Sequence, residues 1–164
     1  MPQKPVMPMK TILCPTDWSE PSLEALDLAL KLSRQQNAQL LLLHVVPPLQ
    51  PVLGIAANAH FENAVRDEAD EQLRELLARH RTPDVNTSDV KAVVLVRTGE
   101  AAQEINRVAF QTNADLVVMS THGHSGWTHW ALGSVAEGVL QSAPCPVLSI
   151  GSGATEIRRG QCLE

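Results

Sequence analysis

Apolar residues fall in two kinds of pattern along this chain, short unbroken runs and longer stretches in which they recur every three or four positions. The runs cover 10–14 (KTILC), Gln39–Val46 (QLLLLHVV), 90–96, 116–119 and 146–150. Runs this short, apolar on consecutive positions, predict strands buried on both faces of a parallel sheet. Between them lie helical periods. Residues 23–32 place apolar side chains at 23, 26, 29 and 30, with a second row at 25, 28 and 32. Phe61, Val65, Ala69, Leu73, Leu76 and Leu77 give a one-sided stripe on a charged segment, the pattern of a surface helix packed on a sheet. Ile105, Val108 and Ala109 mark a helix over 100–113, and Val135, Val139 and Leu140 mark one over Ser134–Ser142.

Breakers agree with this division. Pro15 stops the first run, and Ser19 with Pro21 reads as an N-cap followed by an early helical proline. Pro47 and Pro48 end the second run, and 47–59 is an uncharged loop with Gly54. Strict alternation of buried strand and helix forces parallel pairing through right-handed crossovers. Five strands are too few for a closed eight-stranded barrel. The expected fold is therefore α/β, a three-layer doubly wound structure. It has an open five-stranded parallel sheet in the order 3-2-1-4-5 and helices on both faces. The expected organisation is a flexible start over 1–9, one domain over 10–151 and a tail over 152–164.

Composition narrows the function classes. The chain has 164 residues, 44% of them hydrophobic and 19% charged, as expected of one packed domain rather than a disordered chain. A net charge of −5, with no Tyr and only two Phe, argues against a basic, base-stacking surface for polynucleotides. A mononucleotide pocket is compatible with it. The Pro-rich start lacks the apolar core of a signal peptide, and the longest greasy stretch, 40–46, is too short to cross a bilayer, so the expected compartment is the cytoplasm. Cys14, Cys145 and Cys162 have no metal-ligand spacing and cannot all pair within one chain. Cys14 and Cys145 are read as buried, inert thiols and Cys162 as an exposed one.

In open parallel sheets, ligands bind beyond the carboxyl ends of the strands where the strand order reverses. Two polar segments leave apolar strands there, Pro15–Thr16–Asp17 and 120–126 (STHGHSG). The second has Gly123 and Gly126, and Gly133 with Ser134 then opens a helix. Glycines let backbone amides approach an anion, and a helix N-terminus with a hydroxyl favours phosphate. Ser134 with Glu137 three residues on is equally a capping box of an ordinary helix. Neither GxxxxGK[ST] nor GxGxxG occurs.

The segments 12–23 (ILCPTDWSEPSL), 41–48 (LLLHVVPP), 114–123 (ADLVVMSTHG) and 132–150 (LGSVAEGVLQSAPCPVLSI) resemble, in this order and spacing, the universal stress proteins. ATP-binding members of that family carry G-x2-G-x9-G-[ST]. Here Gly123, Gly133 and Ser134 meet its last three fixed positions, and Ser120 stands at the first. The resemblance implies ATP, with Mg²⁺, as ligand. It assigns Asp17 to the ribose hydroxyls, Pro15 and Thr16 to the adenine pocket, and Val45 and Met119 to the walls around the base. The polyphosphate falls to the loop with Ser120, His122, Gly123, His124, Gly126, Gly133 and Ser134, and Val135 follows it at the nucleotide site. It further implies a homodimer through strand 146–150. No catalytic residue, protein-bound metal, nucleic acid or membrane is expected. The resulting expectation is a regulatory nucleotide-binding protein of the stress response. The alternatives are a nucleotide-free dimeric interaction module and a slow ATPase.

Where the family often has Arg or Lys, this chain has His124 and His129. Imidazole titrates near pH 6.5, so nucleotide affinity is expected to strengthen as the pH falls from about 7.5 to 6. His122, His124 and His129 lack a Cys or carboxylate partner at ligand spacing, which disfavours a metal. Trp127 and Trp130 are read as packing onto the helices.

Overall fold

A computed structural model describes residues 9–48, 59–81, 89–121 and 133–151. The chain alternates β1 (Thr11–Pro15), α1 (Glu20–Gln36), β2 (Gln39–Val46), α2 (Ala59–His80) and β3 (Ala92–Thr98). It continues with α3 (Ala101–Gln111), β4 (Leu116–Ser120), α4 (Ser134–Ser142) and β5 (Val147–Ile150). All four ladders are parallel, and the sheet order is β3-β2-β1-β4-β5, as expected from the alternation.

Successive strand residues point to opposite faces, and the cores divide accordingly. Ile12, Cys14, Leu40, Leu42, Val94, Val96, Leu116 and Val118 join α1 and α2 in one core. Leu13, Leu41, Leu43, Val117 and Met119 join α3 and α4 in the other. This is why β1, β2 and β4 lack a polar alternation. Full burial of each Leu, as at Leu13, Leu42 and Leu43, contributes about 1.5–3 kcal/mol.

Local chemistry sets the ends of α1. The Ser19 hydroxyl accepts the Ser22 amide at 3.4 Å, Pro21 occupies the first turn, and Asn37 closes the helix in a left-handed conformation at φ 51°. The helix therefore runs well beyond both ends of the 23–32 pattern.

Some expectations need correction. β3 spans Ala92–Thr98 rather than 90–96, because Arg97 and Thr98 still pair with Val45 and Val46 after the apolar run has ended. β5 begins at Val147, although the Pro146 carbonyl still accepts the Val117 amide at 3.0 Å. Phe61 drops out of the α2 stripe at 58% exposure and Leu140 out of the α4 stripe at 43%. The buried α4 positions are Ala136 and Val139. Ser134 is not an N-cap. Gly133 holds that place without a side-chain hydrogen bond, so no capping box forms. The expectations for 1–8, most of loop 47–59, Cys162 and 152–164 lie outside the described residues.

Candidate functional site

β2 outruns β1. Their ladder ends at Pro15 opposite Leu43, whereas β2 stays paired to β3 as far as Val46 opposite Thr98. The Thr16 amide takes the Leu43 carbonyl at 2.8 Å, so that carbonyl points toward β1. Strand alternation turns the Val45 amide and carbonyl the same way, past the point where β1 has left the sheet. The Val46 carbonyl takes the Gly99 amide at 3.0 Å on the β3 side, consistent with this direction.

The turn after β1 is tied down at several atoms. The Thr16 and Ser22 hydroxyls lie 2.9 Å apart and are buried. The Trp18 amide donates to Thr16 Oγ1 at 3.2 Å. Asp17 Oδ1 accepts the Ser19 amide at 3.1 Å and also the Ser19 hydroxyl, which fixes the carboxylate beside the α1 N-terminus. Trp18 has φ 68°, a left-handed conformation that an L-residue holds only where its surroundings over-determine it. His44 Nδ1 lies 2.8 Å from the Thr16 carbonyl oxygen, and its ring centroid is 4.9 Å from that of Trp18.

On the other side, β4 delivers Met119, Ser120 and Thr121. The Thr121 amide bonds the Ile150 carbonyl at 2.8 Å, and its own carbonyl takes the Gly133 amide at 2.8 Å, which seats the start of α4 against the end of β4. In α4 the Glu137 amide returns to the Gly133 carbonyl at 2.9 Å. The amides of Ser134, Val135 and Ala136 belong to the first turn, which has no intrahelical acceptor.

A cavity of about 310 Å³ lies between these segments, at the lower end of the roughly 300–1,000 Å³ usual for small-molecule sites. Pro15, Thr16 and Asp17 line it from β1, Val45 from β2, and Met119 and Ser120 from β4. Gly133, Ser134 and Val135 line it from α4. Nine of the thirteen residues assigned from sequence thus meet at one cavity. The other four, His122, Gly123, His124 and Gly126, lie outside the described residues, as do Trp127, His129 and Trp130.

Sequence reasoning missed Ser22, Leu43, His44, Ala101, Ile105, Thr121 and Ala136, which also line the cavity. His44 carried a signal, being the polar interruption of an apolar run. Ala101 and Ile105 carried none, since only the packing of α3 brings them to the site.

Asp17 is the only Asp, Glu, Lys or Arg among the described lining residues. Helix ends therefore govern the electrostatics on the opposite wall. Three helix N-termini surround the site. α1 is capped by Ser19, and α3 by Glu100, whose carboxylate accepts the Ala102 and Gln103 amides at 3.2 and 2.9 Å. The N-cap of α4 is Gly133, which has no side chain to offer, and Gly133, Ser134, Val135 and Ala136 put the positive end of the helix dipole at the cavity wall. A chamber with apolar walls thus has a carboxylate on one side and the first turn of α4 on the other.

The family model for the universal stress protein family matches residues 8–150. The chain belongs to this family. A universal stress protein of Methanocaldococcus jannaschii, MJ0531, is 33% identical over 146 residues, which cover 86% of this chain and 81% of that one. The solved structure of the hypothetical protein MJ0577 superposes with a TM-score of 0.70 at 26% identity, over 88% of this chain and 97% of that one. A universal stress protein solved in complex with cAMP has the same fold, with a TM-score of 0.63 at 23% identity, over 90% of this chain and all of that one. Among the described residues of this family member, no helix is long and apolar enough to cross a membrane, and no group of three or more His, Cys, Asp or Glu is placed to hold a metal.

Proposed function

We propose that this chain is a regulatory protein of the stress response that binds ATP with Mg²⁺ and works as a homodimer. The observation that carries the reading is the first turn of α4. Its N-cap is Gly133, which offers no side chain to the first-turn amides, unlike Ser19 of α1 and Glu100 of α3, and Gly133, Ser134, Val135 and Ala136 line the chamber. First-turn amides at such a terminus suit phosphate oxygens.

The rest of the site suits the remainder of a nucleotide. Adenine presents an acceptor, N1, beside a donor, the N6 amine, and the Val45 amide and carbonyl offer the complementary pair. Val45 and Met119 form apolar walls for the base, beside Pro15 and Thr16. Asp17 accepts the ribose hydroxyls, a carboxylate at a strand's mouth being a natural acceptor for a diol; the Ser19 amide and hydroxyl orient it. Gly123 meets the family's loop pattern, and Ser120, His122, His124 and Gly126 beside it complete the phosphate loop in this reading. That a protein of the same fold holds cAMP favours an adenine nucleotide over other anions.

Occupancy rather than turnover is the output of this reading, with ATP biasing conformation and partner choice. The test is to denature the freshly purified protein and chromatograph the released small molecules. ATP or ADP at a substantial fraction of the protein supports the reading. No nucleotide, together with no heat on ATP titration, supports a nucleotide-free interaction module instead. Hydrolysis at several turnovers per second would replace the regulatory role with an enzymatic one.

A further inference from the structure

We propose that His44 is a positioning residue for ribose recognition, holding the Thr16–Asp17 peptide plane so that the Asp17 carboxylate faces the nucleotide. The inference rests on the adenine-nucleotide reading above. The Thr16 carbonyl lies 2.8 Å from His44 Nδ1, and a carbonyl only accepts, so Nδ1 carries a proton. In the neutral ring this fixes the tautomer, with Nε2 as the acceptor nitrogen. The carbonyl held in this way belongs to the peptide unit that joins Thr16 to Asp17. Anchoring its oxygen restrains ψ of Thr16 and φ of Asp17, and these two angles set the direction of the Asp17 Cα–Cβ bond.

The placement of His44 suits this role. It is the first residue of β2 beyond the β1 ladder, so its side chain stands where the turn leaves the sheet. Trp18, immediately after Asp17, is left-handed at φ 68°, and its ring lies against His44 at 4.9 Å with a 44° tilt. The imidazole thus contacts the residues on both sides of Asp17, through a hydrogen bond to one and ring packing on the other. Val45, next along β2, faces the cavity, so one strand end would serve the base and the ribose together.

A purely architectural histidine would affect all ligands alike, whereas a positioning residue for Asp17 affects those with ribose hydroxyls more than those without. The experiment measures Kd for ATP and for 2′,3′-dideoxy-ATP by calorimetry on the full chain. The wild-type protein is expected to favour ATP by roughly tenfold or more, as for hydroxyls donating to a carboxylate. Asp17→Asn brings the ratio near one. His44→Ala and His44→Gln also bring it near one, weakening ATP more than dideoxy-ATP. His44→Asn, whose amide nitrogen can occupy the place of Nδ1, restores most of the preference.

Equal weakening of both nucleotides in His44→Ala, or an unchanged ratio, overturns the inference. If His44→Ala does not fold, the contrast between His44→Asn and His44→Gln decides, and equal ratios in those two overturn it. A wild-type protein that binds both nucleotides equally overturns the ribose assignment and this inference, while the nucleotide reading stands. A wild-type protein that binds neither overturns the nucleotide reading itself.

Discussion

At the scale of single residues, burial and position separate groups that look alike in sequence. Cys14 is wholly buried, and its thiol is pushed up to about 12, first by burial and then by the nearby Asp27 charge. Burial and the Asp115 carboxylate also raise the half-buried Cys145 thiol. The folded Cys14 keeps its proton through the range where an unfolded thiol, titrating near 9, loses it. Its contribution to stability is complete below pH 9 and declines as the pH climbs toward 12. Denaturant unfolding under reducing conditions at pH 8, 9, 10 and 11 should show wild type losing stability more steeply than Cys14→Ala. Parallel pH profiles would contradict this. The buried character of Cys14 was legible from its strand. Asp17 was also legible, as a carboxylate released at a strand mouth. The contact made by His44 was not, because its partner Thr16 lies 28 positions away.

At the scale of elements, the packing of α3 on α4 sets the back wall of the site. A Cβ at Gly138 would lie 2.8 Å from the Ala102 Cβ, and Asn106 Nδ2 reaches the Gly138 carbonyl at 3.3 Å in the same seam. Gly138→Ala should force the helices apart, costing about 1–3 kcal/mol as overpacking does. It should also lower ATP affinity severalfold, since both helices line the cavity. Adding Ala102→Gly should recover part of both losses. Chemical denaturation paired with ATP titration checks this, and unchanged stability in Gly138→Ala would refute it. All nine elements among the described residues were legible in hydrophobic period, but several ends were not. A strand stops where its neighbour stops pairing, as Arg97 and Thr98 do on β2. A helix stops where a cap closes it, as Asn37 does. The start of α4 at Ser134 was legible, but its cap was not, since which residue caps a helix depends on the approach of the preceding chain, here pinned at Thr121.

At the scale of the whole molecule, the order 3-2-1-4-5 makes β5 an edge strand, and all four of its residues are half-buried. The Pro146 and Ile150 carbonyls point inward to β4, where they accept the Val117 and Thr121 amides. Alternation therefore turns the Val147 and Ser149 amides outward, a template for pairing with a second copy. Ser149→Pro removes one outward donor and spares the β4 ladder. Light scattering should find a dimer for wild type and a monomer for the variant; an unchanged dimer would place the interface elsewhere. The overall topology was legible because alternation and crossover handedness leave few choices, and the reversal between β1 and β4 marked where the cavity lies. The central claim, that this crevice holds an adenine nucleotide, is tested most directly by calorimetric titration of the nucleotide-stripped protein with MgATP, with MgGTP as comparison. The account predicts saturable heat with one ATP per chain and weaker binding of GTP, whose base lacks the N1 acceptor and N6 donor that Val45 would read. No saturable heat with MgATP would contradict it.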